Sequence, residues 1–309
     1  MLRLEDHWVW DSWYAEDAGT HHAFFLRASR ALGDPDRRHA RASVGHAVST
    51  DLRVWTLEAD ALVPADAPAW DDQAIWTGST VRGDDGRWYL FYTGISRERG
   101  TSWQQIGLAV SVDLVSWRRV GDAPVLSPDP RWYEVDDPVW RETAWRDPWV
   151  FPDPDGDGWH MLFTARAKTG DPRERGVVGH ATSPDLRSWT AGPPLSGPAG
   201  FAQLEVIQTA VVDGRHVLLF SCGPAELGAA RHAAYERGDV YLADAAGPLG
   251  PFDIHAAASV GPAGLYAARI VLDEGTPRLI GFTDQRDGRF VGELTDPLPV
   301  APTRAAPTG

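Results

Sequence analysis

The chain of 309 residues carries a formal net charge of −14. Binding to nucleic acid or to an anionic membrane surface requires a basic patch, so this charge argues against both kinds of partner. Cys222 is the single cysteine, which excludes an intrachain disulfide and a cysteine-based zinc site. The first residues contain no apolar stretch long enough for a signal peptide, and no later segment has the length of a membrane span, so we expect a cytoplasmic protein.

The first predicted strand is WVWDSWYAED at residues 8–17, in which Asp11 is surrounded by Trp8, Trp10 and Trp13. Carboxylates are rarely fully buried unless they are paired, and an aromatic cluster is a costly place for an ionised one. The chain holds fifteen tryptophans, whose rings either fill a β core or form flat platforms for sugars. Asp11 is therefore the first residue whose placement needs a functional or a structural explanation.

Two repeated units follow along the chain. The first is an alternating strand with a Ser-x-Asp-Leu-x-x-Trp turn, found at residues 43–55, 105–117 and 177–189. The second is an apolar strand whose five copies align the following residues: Phe25, Phe91, Phe163, Phe220 and Phe282. Alternating strands bounded by Gly, Asp and Pro turns indicate an antiparallel all-β protein, and five such units predict a five-bladed β-propeller. A β-sandwich of similar strands would not produce this recurrence.

The repeats fill the chain, so we predict a single propeller domain over residues 1–296. The Pro- and Ala-rich segment at 297–309 is expected to be a flexible tail.

Three acids occupy the same position relative to the aligned phenylalanines. Asp11, Asp147 and Glu205 each precede the phenylalanine of their own repeat by 14–16 residues. One strand and one turn upstream is the innermost strand of a blade, so the three acids should converge at one end of the central channel. A single acid is more often a cap or a turn residue, but three at matched offsets favour a site. Crowded carboxylates raise one another's pKa, which provides the protonated and ionised pair that glycoside cleavage needs.

The matching positions of the other two repeats are Trp76 and Ala267. The second of these places Tyr266 or Arg269 at the channel mouth as a candidate binding residue, with an ordinary strand as the competing interpretation.

These motifs resemble those of the five-bladed furanosidases of glycoside hydrolase families 32 and 68, the invertases, inulinases, levanases and levansucrases. The resemblance rests on VWDSW at 9–13, GHAVSTDLRVW at 45–55, WTGSTV at 76–81 followed by LFYTG, and RDP at 146–148. It extends to about residue 222 and fades in the fifth repeat. It implies a propeller enzyme that acts on a small carbohydrate, and we expect neither a metal nor another cofactor.

The resemblance also implies roles for individual residues. Asp11 would be the nucleophile, Glu205 the general acid and then base, and Asp147 the stabiliser of the transition state in a retaining double displacement. In such a reaction the two reacting carboxyl groups lie roughly 5 to 5.5 Å apart. The expected substrate-binding residues in these four repeats are Trp10, Trp13, Trp76, Thr77, Ser79, Arg146 and Gln203.

The sequence departs from both families near the acid. Family 68 enzymes usually have a second Glu and an Arg where this chain has Gln203 and Val206, and those groups help to hold the leaving group of sucrose. Family 32 enzymes usually have a Cys after the acid and a C-terminal β-sandwich, and we expect neither here. A different fructoside or furanoside is therefore an open alternative to sucrose.

Two other functions remain open at this stage. An arabinofuranosidase or xylosidase resembling family 43 would invert, with Asp11 as general base and a carboxyl separation of roughly 6.5 to 9.5 Å. A sugar-binding propeller without catalysis is the third possibility.

Several further motifs have a structural interpretation. The segment DPDGDGW at 153–159 has the spacing of a calcium loop but lacks the final Glu, so we expect a tight turn. His46 and His180 lie in repeated strands and are expected to pack in the core. Asp137 and Pro138 are assigned to a loop.

Overall fold

The computed structural model describes residues 1–136, 138–234 and 239–301. Over these ranges the predicted five-bladed β-propeller is confirmed, with five antiparallel sheets as blades. Asp137, for which the sequence predicts a loop, lies outside the described residues.

The blades follow one another along the chain. Blade 1 contains β1 (His7–Asp17), β2 (Thr20–Ser29), β3 (Ser43–Ser49) and β4 (Thr56–Leu57). Blade 2 contains β5 (Ala74–Arg82), β6 (Trp88–Ile95), β7 (Gln104–Ser111) and β8 (Arg118–Arg119). Blade 3 contains β9 (Arg146–Pro152), β10 (Trp159–Arg166), β11 (Gly176–Ser183) and β12 (Thr190–Ala191). Blade 4 contains β13 (Glu205–Val212), β14 (Arg215–Cys222), β15 (Asp239–Asp244) and β16 (Ala258–Val260).

Blade 5 pairs three strands and is followed by short elements. It contains β17 (Leu265–Asp273), β18 (Thr276–Thr283) and the final β21 (Leu298–Pro299), with a small hairpin of β19 (Gln285–Arg286) and β20 (Arg289–Phe290) inserted. The helical elements are α1 (Ala229–Ala234) and the 3-10 turns Arg30–Leu32, Pro35–Arg41, Gly100–Ser102, Pro224–Glu226 and Ile254–Ala256. Among the described residues, no helix is long and apolar enough to span a bilayer.

The innermost strands close into a ring. β1 contacts β5, and contacts continue through β9, β13 and β17 back to β1. The first residues complete the fifth blade, because Leu2 pairs with Leu294, which also pairs with Phe282 of β18. The end of the domain differs from the prediction, since Leu298–Pro299 pairs with β18 beyond the expected boundary at residue 296. Residues 302–309 of the expected tail lie outside the described residues.

The aligned phenylalanines lie on the second strand of each blade, as the repeat predicts, and none is more than 3% exposed. In blade 1 Phe25 pairs with Gly45, and in blade 3 Phe163 pairs with Gly179. A Cβ atom at Gly45 would lie 2.4 Å from the Phe25 ring, and one at Gly179 would lie 2.4 Å from the Phe163 ring. The repeated glycine therefore leaves room for the aromatic ring that fills the core between blades.

The Ser-x-Asp-Leu turns end the third strands of blades 1 to 3. In the first, Asp51 accepts hydrogen bonds from the backbone N–H groups of Arg53 and Val54, 2.8 Å each. These bonds lower the pKa of Asp51 to about 2. Leu52 has a positive φ of 59° and is buried. The motif is a structural turn that places one leucine in the core.

The segment at 153–159 and His46 have the expected structures. The segment after Pro152 is the turn between β9 and β10. His46 is buried and stacks on Phe24, with ring centroids 4.8 Å apart, and His180 stacks on His160 at 5.1 Å. His46 therefore packs in the core of blade 1, whereas His180 is only half-buried beside His160 in blade 3.

Candidate active site

Every inner strand is interrupted by a β-bulge at the same depth. The pairing register shifts between the following residues: Trp10/Ser12, Trp76/Gly78, Glu205/Gln208, Tyr266/Arg269, and, opposite β9, Leu162/Thr164. Asp11, Asp147, Val206 and Ala267 have positive φ values of 21°, 59°, 52° and 45°. Such conformations cost about 1–3 kcal/mol each and occur at functional sites, and a bulge re-aims the side chains beside it. The strained bulges turn the acids toward one end of the propeller axis.

A cleft of about 670 Å³ opens at that end. Asp11, Asp147 and Glu205 all line it, so the structure brings together the three acids that the matched offsets predict. A concave pocket with convergent ionisable groups is the usual form of a small-molecule site.

Asp11 lies in the cleft and accepts a hydrogen bond from the Thr77 hydroxyl through Oδ2. Burial, then the charge of Asp147, raises the pKa of Asp11 to about 7. The Thr77 bond and the nearby Arg38 guanidinium act in the opposite direction. Asp11 therefore changes charge near neutral pH.

Asp147 is buried, with 3% of its surface exposed. Its Oδ2 accepts hydrogen bonds from the Thr164 hydroxyl at 2.9 Å and from the Val206 N–H at 3.2 Å. Burial raises its pKa, and Glu205 adds to this while Arg146 opposes it. These bonds fix the orientation of the carboxylate relative to the cleft.

Glu205 is held from two sides. Arg146 Nη2 donates to its Oε1 at 2.6 Å, and the Tyr266 hydroxyl donates to its Oε2. Arg146 is itself bound by Gln104, at 3.0 Å, and by Gln203. Although burial opposes it, the carboxylates of neighbouring acids raise the pKa of Arg146, so this residue is a permanent cation.

Six of the predicted binding residues reach the cleft. They are Trp10, Trp76, Thr77, Arg146, Gln203 and Tyr266. The Trp76 indole donates to the backbone carbonyl of His39 at 2.7 Å, which fixes one wall. Tyr266, predicted from the register of the fifth repeat, lines the cleft beside Glu205.

Three predicted binding residues do not line the cleft. Trp13 is buried in blade 1, where its indole stacks on Phe24 and donates to Thr80 at 3.2 Å. The Ser79 hydroxyl accepts from the Val150 N–H at 3.2 Å and links β5 to β9. Arg269 is 1% exposed and lines a separate cavity. All three follow a bulge, which ends the simple alternation of side chains on which the prediction depends.

Trp8, a sequence neighbour of Asp11, does not line the cleft either. It packs edge-on against Phe290, with ring centroids 6.3 Å apart, and Arg30 lies over its ring. Of the three tryptophans around Asp11, Trp10 alone reaches the cleft.

Several cleft residues come from connecting segments and are not predicted by the repeat. They are Arg38, His39, Glu142, Glu226 and Asp284. Glu142 accepts a hydrogen bond from Gln203 at 2.6 Å, which places a carboxylate beside the residue that departs from the family 68 pattern. Burial, then the charge of Glu205, raises the pKa of Glu226 to about 8. These segments have no counterpart in the repeated strands, so aligning the repeats does not predict their residues.

Fold and site together define a five-bladed propeller with an acidic triad at one end of its axis. The sequence matches the profile of the glycosyl hydrolases family 32 N-terminal domain over residues 14–285, and the chain belongs to this family. The match begins three residues after Asp11. The assignment of Asp11 to the site therefore rests on its position relative to the aligned phenylalanines and on the structure.

Three similar proteins illustrate the relationship. The chain is 35% identical over 119 residues to a 6(G)-fructosyltransferase of Asparagus officinalis, covering 32% of this chain and 18% of that protein. It is 31% identical over 190 residues to a sucrose-6-phosphate hydrolase of Bacillus subtilis (strain 168), covering 60% of this chain and 34% of that protein. The matches thus span well under half of either relative. An inulosucrase of Halalkalicoccus jeotgali bound to kestose has a TM-score of 0.73 at 23% identity, over 94% of this chain and 81% of that one.

Proposed function

We propose that the protein transfers a β-fructofuranosyl unit from a fructoside to water or to a sugar hydroxyl, by a retaining double displacement. The observation that carries the proposal is the meeting of Asp11, Asp147 and Glu205, from three bulged inner strands, in one cleft of a family 32 chain. The names of the similar proteins, a fructosyltransferase and a sucrose-6-phosphate hydrolase, support a fructoside as substrate.

Asp11 is assigned the attack on the anomeric carbon. The Thr77 hydroxyl donates to Oδ2, so Oδ1 is the atom assigned to the attack. Attack requires the carboxylate form, so Asp11 must be deprotonated at the pH at which the enzyme works. With a pKa of about 7 for Asp11 in the empty cleft, kcat/KM is expected to fall as pH drops below neutrality.

Glu205 is assigned the proton transfers to the leaving group and later from the acceptor. Its two anchors, Arg146 and Tyr266, are both donors and hold the carboxyl group at the cleft wall. A positioned acid of this kind supplies typically 10²–10⁴-fold in rate.

Asp147 is assigned the binding of adjacent ring hydroxyls. Its Oδ2 is occupied by Thr164 and by the Val206 N–H, so Oδ1 is the atom available for the sugar. A buried negative charge stabilises the positive charge that develops on the ring in an oxocarbenium-like transition state.

The remaining lining of the cleft favours a neutral sugar. Beyond the three assigned acids, the cleft is lined by the acidic side chains of Asp36, Glu142, Glu226 and Asp284. Gln203 replaces an expected Glu, yet its amide binds Glu142, so a carboxylate is still present there. This acidic lining suits uncharged hydroxyls as hydrogen-bond partners.

A substrate panel tests the proposal. Wild type, Asp11→Asn and Asp17→Asn would be assayed on sucrose, on inulin- and levan-type oligosaccharides, and on aryl arabinofuranosides and xylosides. Asp17 is the matched control because it lies on the same strand, outside the cleft, and is half exposed beside Arg82. We expect fructose release by wild type and Asp17→Asn, and a loss of about 10³-fold or more in Asp11→Asn. Equal activity of Asp11→Asn and wild type, or turnover of pentosides alone, would contradict it.

A further inference from the structure

Arg269 occupies the propeller axis beneath the cleft. It lies on β17 after the bulge and is 1% exposed. It does not line the cleft, but it lines a cavity of about 210 Å³ on the far side, with Trp13, Tyr14 and Trp149. Arg269 therefore cannot touch a sugar in the cleft, and its function must be exerted through other residues.

The guanidinium joins strands from three blades. Nη1 donates to the carbonyl of Ile207 at 2.6 Å and to that of Val206 at 3.3 Å, and Nη2 donates to that of Gly78 at 3.3 Å. The plane also lies over the Trp149 ring, with Cζ 5.3 Å from its centroid. One side chain of blade 5 thus binds the main chain of blades 4 and 2 and packs on blade 3.

The bound carbonyls directly follow the site residues. Val206 and Ile207 come after Glu205, and Gly78 comes after Thr77, which donates to Asp11. The Val206 residue is held on both sides, because its N–H donates to Asp147 while its carbonyl accepts from Arg269. Its positive φ of 52° is a conformation that persists only when the surroundings enforce it.

The charge of Arg269 is also unusual. Its hydrogen bonds go to neutral carbonyls, and its Nε is buried without a hydrogen-bond partner among the described residues. Burial lowers its pKa to about 10, while Asp147, Asp11 and Tyr14 oppose this. Glu16 and His21 line the far cavity. A buried cation without a directly bonded carboxylate is costly. The charges of Asp147 and Asp11 stabilise the cation, and the same interaction favours the ionised forms of these two acids.

We propose that Arg269 is a positioning residue, which fixes the bulged main chain beside Glu205 and Thr77 and whose charge favours the ionised forms of Asp11 and Asp147. This inference rests on the proposed function of the cleft. It goes beyond that function because it assigns a role to Arg269, which does not contact the substrate.

The test compares pH profiles of kcat/KM for wild type, R269K, R269Q and R231Q. Arg231 is the matched control, since it also donates to main-chain carbonyls, at 2.8–3.1 Å, and stacks on an aromatic ring, Phe201. In R269Q the acidic limb should move to higher pH, because removal of a nearby cation raises the pKa of a carboxylate. R269K should keep the limb in place but lower kcat, because a lysine cannot reproduce the fork of donors.

R231Q should lower the melting temperature without moving the limb. The proposal would be overturned if the acidic limb of folded R269Q lay at the same pH as that of wild type, or if R231Q shifted the limb as far as R269Q does. If R269Q does not fold, R269K provides the test. A shifted acidic limb in R269K would contradict the proposed effect of the Arg269 charge, and an unchanged kcat would contradict its proposed role in fixing the main chain. An inactive wild type would instead refute the proposed function, so the two failures are distinguishable.

Discussion

Asp11→Asn is expected to abolish activity and to stabilise the fold above neutral pH. Burial, then repulsion from Asp147, raises the pKa of Asp11 from 3.8 to about 7. When folding raises the pKa of a carboxyl group, the group makes its full contribution to the stability of the native state below its unfolded pKa. That contribution is lost as pH rises through the folded pKa. The ionised Asp11 that the reaction needs therefore weakens the native state.

The magnitude follows from the shift of about three units. At about 1.4 kcal/mol per unit, the full penalty is about 4 kcal/mol. Because the cleft leaves part of Asp11 open to water, solvent screening reduces this to about 2 kcal/mol. Asparagine removes the charge and keeps an oxygen that accepts the Thr77 hydrogen bond. We expect Asp11→Asn to be more stable than wild type by about 2 kcal/mol near pH 8, and by less than about 1 kcal/mol near pH 4.

Urea denaturation of both proteins at the two pH values measures this difference. Asp17→Asn serves as the control, because Asp17 is half exposed and its ion pair with Arg82 is 3.4 Å long. Exposed pairs of this kind contribute about 0–1 kcal/mol. A stability gain in Asp11→Asn that is the same at both pH values, or a loss near pH 8, would refute the reasoning.

Two further substitutions test the site and the fold. Tyr266→Phe removes a donor to Glu205, and steady-state kinetics should show roughly a tenfold loss in kcat/KM with an unchanged melting temperature; full activity would show that the bond is dispensable. Gly45→Ala places a Cβ 2.4 Å from the Phe25 ring, and chemical denaturation should show a loss of about 1–3 kcal/mol. The control Gly197→Ala, with nothing within 4 Å of the added atom, should change stability by less than about 1 kcal/mol.

The sequence predicted most of the fold because the repeat is a property of the strands themselves. Aligning Phe25 with its four counterparts identified the second strands, and counting back one strand reached Asp11, Asp147 and Glu205. The matched offsets succeeded because each inner strand bulges at the same depth.

The other residues of the site could not be predicted from the repeat. Ser79 and Arg269 lie just beyond a bulge, where the two-residue alternation is broken and side chains turn away from the cleft. Arg38, Glu142 and Glu226 come from connecting segments, whose conformations depend on tertiary contacts rather than on strand periodicity.

The central claim is that Asp11 attacks carbon, and the configuration of the first product tests it most directly. The fructoside that wild type turns over fastest would be incubated with methanol as acceptor and followed by NMR. A double displacement predicts methyl β-fructofuranoside, with the configuration of the substrate retained. The α-anomer of free fructofuranose as first product, with no methyl glycoside formed, would contradict the account and assign Asp11 to the activation of water.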